Sequence, residues 1–146
     1  MRYLEDYEAG EVTETGPIHV TAEEIVEFAR KYDPQPFHLS DEAGRETMYG
    51  GLIASGWHTA SLYMGAFVRG SLQNAASLGA PGVEIRWHAP VRPGDTLMGR
   101  SVVNEVRPSS KDPGRGTIFA THEIRNQDDV LVMTLKTFGL VRRRPS

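Results

Sequence analysis

The sequence predicts an α+β protein in which a long antiparallel β-sheet wraps around one apolar α-helix. Residues 57–70 contain a single charged side chain, which is typical of a helix enclosed by other structure. From Gly82 onward, apolar and polar residues alternate in long segments separated by turn residues, as in strands that bury one face. One enclosed helix followed by several such strands favours a curved sheet around that helix.

The length and composition indicate a single soluble domain over residues 1–146, with 39% hydrophobic and 24% charged residues. A net charge of −3 provides no positive field that would attract nucleic acid. The chain has no apolar leader and no run of about 18 apolar residues, so we expect a cytoplasmic protein without a membrane segment. Because cysteine is absent, disulfides and thiolate nucleophiles are excluded.

The first half of the chain predicts a short strand at residues 14–20 and then an amphipathic helix. Thr21 and Glu24 have the spacing of a capping box at the start of that helix. The helix ends at Asp33, because Pro34 cannot continue it. One or two further helical turns are expected after the loop that follows, before the glycine-rich stretch that precedes the apolar helix.

The second half predicts four long strands, at residues 83–91, 95–106, 116–126 and 129–141. The intervening segments are rich in glycine, proline, asparagine and aspartate, which favour turns. Antiparallel strands that follow one another in this way form a meander. Such a sheet leaves an edge that can pair with a second copy of the chain.

The segment DPQPFHLSD, residues 33–41, places Asp33 and His38 in a stiff loop, because its two prolines fix φ and block regular hydrogen bonding. A carboxyl group and an imidazole, with ordinary pKa values of about 4 and about 6.5, can share a water and move its protons. This is the chemistry needed to add water across a double bond or to remove it. The residues alone leave a second interpretation open, in which Asp33 caps the next turn and His38 only packs.

The segment GGLIASGWHT, residues 50–59, brings several glycines to the start of the apolar helix. Backbone N–H groups at Gly51 and Gly56 can approach a ligand closely there, at the positive end of the helix dipole, and can bind an oxyanion. The alternative interpretation is a tight turn with close helix packing. His58 either faces the same cavity or satisfies a buried carbonyl.

The sequence contains no motif of a metal-dependent enzyme or of a serine hydrolase. No metal-ligand spacing such as H-E-x-x-H occurs. The residues ASGW around Ser55 do not form the G-x-S-x-G elbow of serine hydrolases.

Three segments together resemble the MaoC-like dehydratases, relatives of the (R)-specific enoyl-coenzyme A hydratases. DPQPFH is similar to the family signature of an Asp, any residue, an Asn, a Pro, an aliphatic residue and a His. GGLIASG resembles the glycine-rich approach to the family's central helix, and RWHAPVRPGDTL resembles a later strand segment. The chain departs from the pattern at Gln35, where Asn is usual, and at Ser55, where His usually precedes Gly56.

The resemblance implies a hotdog fold and a homodimer with the active site near the contact between the two copies. It implies that Asp33 and His38 are catalytic and that Gly56, with Ser55 and Gly51, binds the substrate oxyanion. Further pocket residues expected by the same resemblance are Gln35, His58 and Trp57. The implied reaction interconverts (R)-3-hydroxyacyl and trans-2-enoyl thioesters, with the substrate carried on coenzyme A and no metal or redox cofactor. A hotdog thioesterase and a non-catalytic acyl-thioester binding subunit are the alternatives.

Overall fold

A computed structural model describes all 146 residues and has a five-stranded antiparallel sheet with a helix on one face. The strands are β1 (Val12–His19), β2 (Val83–Trp87), β3 (Thr96–Pro108), β4 (Arg115–Arg125) and β5 (Leu131–Arg142). The α-helices are α1 (Ala22–Tyr32), α2 (Asp41–Arg45) and α3 (Gly56–Phe67). The predicted α+β class and the central helix are therefore confirmed.

The strand order is β1-β3-β4-β5-β2, which differs from a complete meander. Strands β3, β4 and β5 follow one another as expected, but β2 pairs with β5 at the edge of the sheet. β2 also ends at Trp87 instead of residue 91, because Pro90 has no N–H to continue the ladder. Beyond Trp87 the backbone crosses toward the opposite edge of the sheet, and it forms backbone hydrogen bonds with Ala54 and Val20.

Helix α1 begins as predicted, with the Thr21 hydroxyl accepting the Glu24 N–H over 3.2 Å. It ends at Tyr32, and Asp33 is its C-cap. The longest helix, α3, has 12 residues, and no helix is long and apolar enough to cross a membrane.

Helix α3 packs on the sheet through Tyr63, which is only 1% exposed. The Tyr63 ring lies against Gly99 of β3, where a Cβ atom would collide with it. The other flank of α3 differs from the prediction of a fully enclosed helix, because Trp57 and Met64 are 59% and 45% exposed. Within one chain, α3 is thus covered by the sheet on one side only.

A buried histidine joins α3 to the sheet. His122 of β4 is 2% exposed, and its Nδ1 atom lies 2.7 Å from the Tyr63 hydroxyl. Its Nε2 atom lies 2.9 Å from the Thr137 hydroxyl. Burial lowers the pKa of His122 to about 4 and raises the pKa of Tyr63 to about 12, so both side chains are neutral near pH 7.

The low pKa of His122 predicts that the protein loses stability as the pH falls from about 6.5 to about 4. In that window the unfolded chain binds a proton at residue 122 and the folded chain does not, which favours unfolding. The difference between 6.5 and about 4 corresponds to a loss of roughly 3 kcal/mol in the free energy of unfolding. Urea denaturation at several pH values measures this loss, which should shrink in a His122→Gln variant. The same substitution at the exposed His19 is the control. A pH dependence of stability in His122→Gln equal to that of the wild-type protein would contradict the prediction.

Candidate active site

The loop that follows α1 holds Asp33 and His38 in place through its own backbone. The Gln35 N–H donates to the Asp33 carbonyl over 2.8 Å, and the His38 N–H donates to the Gln35 carbonyl over 2.9 Å. Residues Pro36–His38 form one 3₁₀ turn, for which proline at the first position is well suited. The loop thus turns the acid and the histidine back toward the same point.

The Asp33 carboxylate accepts hydrogen bonds on both oxygens. The Ser55 hydroxyl donates to Oδ2 over 2.7 Å, and the Gln35 side-chain amide donates to Oδ1 over 2.8 Å. Burial opposes the negative charge, but these two hydrogen bonds and the nearby His38 outweigh it and hold the pKa of Asp33 below its usual value. Asp33 is therefore ionised at neutral pH.

His38 is 5% exposed and is oriented by the backbone that leads into α3. Its Nδ1 atom lies 2.8 Å from the Ile53 carbonyl oxygen. Because a carbonyl only accepts, Nδ1 carries the proton and Nε2 is the atom whose protonation can change. Nε2 lies 3.4 Å from Oδ2 of Asp33, which is within ion-pair distance when His38 is protonated.

Gly56, the first residue of α3, lines the same cleft as this pair and has a free backbone N–H. The Gly56 N–H donates to no acceptor within the chain, whereas the Trp57 N–H is bonded to the Ser55 hydroxyl over 3.3 Å. The Trp87 indole lies across Gly56 and donates from Nε1 to the Gly56 carbonyl over 2.9 Å. A side chain at position 56 would collide with that indole, so only glycine fits there.

A cleft of about 590 Å³ opens in front of these groups. It brings together five residues that the sequence predicted for the site: Asp33, Gln35, His38, Gly56 and Trp57. Apolar and aromatic side chains form most of the remaining wall. An arrangement of this kind can hold an acyl group, place a water against an acid and a histidine, and bind an oxyanion.

Three of the predicted residues lie outside the cleft wall. Gly51 packs against α2, where its carbonyl leaves no room for a side chain at Gly44. Ser55 has no exposed surface and lies behind Asp33. His58 stacks on Phe28 of α1, with ring centroids 5.0 Å apart, and its buried Nδ1 has no hydrogen-bond partner.

The surroundings of His58 differ from those of His38. Burial lowers the pKa of His58, while the charge of Glu24 opposes this effect only in part. No side chain of the cleft bonds to its ring, because α3 turns residue 58 toward α1.

Sequence reasoning missed several residues of the cleft wall. His88 follows β2 and lies in the cleft with its Nε2 atom 2.8 Å from the Thr134 hydroxyl. The alternation over residues 83–91 predicts a strand that includes His88, and only Pro90, two residues later, signals that the strand ends before it. Other wall residues that were not predicted from the sequence are Phe37, Met48, Tyr49 and Trp87. No group of three or more His, Asp or Glu side chains is arranged to hold a metal ion.

The five-stranded antiparallel sheet packed on α3 is a hotdog fold. A sequence profile described as the MaoC-like domain matches residues 6–123, and the chain belongs to this family. The crystal structure of the MaoC-like dehydratase from Rhodospirillum rubrum is 38% identical, covers 99% of both chains and has a TM-score of 0.91.

Two further solved structures show how widely this fold is used. A monoamine oxidase regulatory protein from Archaeoglobus fulgidus is 30% identical, with a TM-score of 0.89 over 98% of this chain and 95% of that one. An (R)-hydratase from A. caviae, involved in PHA biosynthesis, is 24% identical, with a TM-score of 0.73 over 95% and 98% of the two chains. The last similarity shows the fold alone.

The contact between Gly56 and Trp87 predicts that Gly56→Ala destabilises the protein. The added methyl group must displace the indole and break its bond to the Gly56 carbonyl, which we expect to lower the free energy of unfolding by about 1–3 kcal/mol. Gly70 is the matched control, because a Cβ atom there meets nothing within 4 Å. Thermal denaturation and tryptophan fluorescence measure both variants. Equal stability of Gly56→Ala and Gly70→Ala would refute the proposed close contact.

Proposed function

We propose that the chain is a hydratase or dehydratase of acyl thioesters, interconverting (R)-3-hydroxyacyl-coenzyme A and trans-2-enoyl-coenzyme A. One observation carries this proposal: the Nε2 atom of His38 lies 3.4 Å from Oδ2 of ionised Asp33 at the wall of a cleft that also contains the free Gly56 N–H. Membership of the MaoC-like dehydratase family supports the same class of reaction.

In the hydration direction, the thioester carbonyl oxygen accepts a hydrogen bond from the Gly56 N–H. Attack by water at the β-carbon pushes electrons toward that oxygen, and the N–H stabilises the developing enolate charge. One such donor typically contributes about 3 kcal/mol to the stability of the transition state. The positive end of the α3 dipole acts in the same direction.

Asp33 and His38 handle the protons of this reaction as one coupled pair. Ionised Asp33 and the Nε2 atom of His38 hold the attacking water, and the pair accepts the proton that the water loses. A proton then passes from the pair to the α-carbon, so that water adds across the double bond without net change in the enzyme. Dehydration follows the same path in reverse. The thioester carbonyl already activates the double bond, so the proposed chemistry requires no metal or redox cofactor.

The proposal predicts that Asp33→Asn and His38→Ala each lower hydration of a short enoyl-coenzyme A by at least about 100-fold without unfolding the protein. Loss of the conjugated enoyl absorbance measures hydration, and a thiol reagent in a parallel assay measures hydrolysis. Asp128→Asn and His19→Ala are matched controls in exposed positions outside the cleft and should keep the wild-type rate.

The outcomes of the two assays separate the alternatives. Thiol release by the wild-type protein would identify a thioesterase. Saturable acyl-coenzyme A binding without turnover would identify a binding subunit. Near-normal hydration in both folded site variants would exclude the proposed pair.

We also propose that two copies of the chain associate through β2. This strand is an edge of the sheet, and Val83 and Trp87 on it are exposed. The Trp87 ring contacts Trp57 of α3 edge-to-face, with centroids 5.4 Å apart, so the exposed apolar flank of the helix continues onto the edge strand. A second copy at this edge would cover apolar surface and lie next to the cleft.

Association through β2 predicts that Val83→Lys converts a dimer into a monomer, because a charge at the edge opposes strand pairing. Val12→Lys is the matched control on the opposite edge strand, since Val12 is 45% exposed and Val83 is 47% exposed. Sedimentation equilibrium measures the mass of each variant. A monomeric wild-type protein, or equal effects of the two substitutions, would contradict the proposed edge.

A further inference from the structure

Ser55 lies behind the Asp33 carboxylate, where no ligand in the cleft can reach it. Its side chain has no exposed surface, and its hydroxyl donates to Oδ2 of Asp33 over 2.7 Å. The same hydroxyl oxygen accepts the backbone N–H of Trp57 over 3.3 Å. Ser55 therefore links the first turn of α3 to the carboxylate, and any effect it has on a substrate passes through Asp33.

The direction of these hydrogen bonds is fixed by chemistry. A backbone N–H can only donate, so the Ser55 oxygen is the acceptor in its contact with Trp57. An ionised carboxylate can only accept, so the Ser55 proton points at Asp33. The second donor to Asp33 comes from Gln35, whose side chain is exposed to solvent. The bond from the buried Ser55 is less open to competition from water.

The two oxygens of the Asp33 carboxylate have different neighbours. An ionised carboxylate has about four acceptor positions. Ser55 occupies one position on Oδ2, and His38 lies opposite the same oxygen at 3.4 Å. Gln35 occupies one position on Oδ1. The remaining position on Oδ1 can accept a hydrogen bond from a water molecule.

We propose that Ser55 is a positioning residue, which holds the Asp33 carboxylate through its hydrogen bond and aims the Oδ2 atom at His38. This inference rests on the hydration chemistry proposed above, in which ionised Asp33 helps to hold and deprotonate the attacking water. Without the Ser55 hydroxyl, one donor fewer would offset the effect of burial on the charge of Asp33. The carboxylate would then be free to rotate away from His38.

The decisive test follows the titration of Asp33 itself and requires no turnover. Carbon-13 NMR of protein labelled at the aspartate carboxyl groups gives the Asp33 titration, with Asp33→Asn identifying its signal. We expect Ser55→Ala to raise the pKa of Asp33, because a hydrogen bond to the charged form is lost. Ser55→Cys, which keeps the shape and provides a weaker donor, should give a smaller rise.

The matched control is Ser61→Ala, a second serine on α3 whose hydroxyl donates to the Trp57 carbonyl over 2.7 Å and does not contact Asp33. This variant should leave the Asp33 titration unchanged. Equal Asp33 titrations in Ser55→Ala and Ser61→Ala would overturn the inference. If Ser55→Ala fails to fold, as judged by near-ultraviolet circular dichroism, the comparison of Ser55→Cys with Ser61→Ala decides the matter by the same criterion.

A second measurement connects the titration to catalysis. On the acid side of the pH profile, kcat/KM for hydration should fall about 10- to 100-fold in Ser55→Ala and recover as the pH rises. A purely structural role would lower kcat/KM equally at every pH, and that result would contradict the inference. If the wild-type protein hydrates no enoyl thioester, the proposed function fails, whereas the NMR comparison still decides whether Ser55 controls the charge of Asp33.

Discussion

The contact between Tyr63 and Gly99 determines where α3 lies on the sheet, and the position of the cleft follows from it. The Tyr63 ring occupies the space that any side chain at residue 99 would need. Its hydroxyl is bonded to His122 of β4, so the helix is held by both its apolar packing and a buried hydrogen bond. A helix fixed in this way brings its first residue, Gly56, against the Trp87 indole. The position of the free Gly56 N–H therefore depends on the packing of Tyr63, near the middle of the helix.

Three buried histidines show why the chemistry is assigned to one of them. His122 lies in the core between hydroxyl groups, and His58 stacks on Phe28, and burial lowers the pKa of both. Neither has a carboxylate within ion-pair distance. His38 has one nitrogen fixed by a backbone carbonyl and the other 3.4 Å from the Asp33 carboxylate. Only this histidine combines a ring orientation fixed by the backbone with a carboxylate beside its other nitrogen.

The sequence was sufficient for the α+β class, the apolar helix and the placement of Asp33 and His38 in a proline-stiffened loop. These features depend on local chemistry, namely residue periodicity, helix capping and the restrictions of proline. The pairing of β2 with β5 was not predicted, because strand order depends on contacts between residues far apart in the chain. His88 was missed for the same reason, since the cleft forms only when the backbone beyond β2 crosses beside α3.

Two positions at which the chain departs from the family pattern carry side chains that donate hydrogen bonds to Asp33. Gln35 donates to Oδ1 over 2.8 Å, and Ser55 donates to Oδ2 over 2.7 Å. Residues 35 and 55 are 20 positions apart in the chain, so the sequence alone does not connect the two departures. In the folded protein they meet on one carboxylate, so both side chains act on the same group. Ser55 has no exposed surface, and a histidine at this position would require different packing around Asp33. The substitutions at residues 35 and 55 are therefore best understood as a single feature of the Asp33 environment.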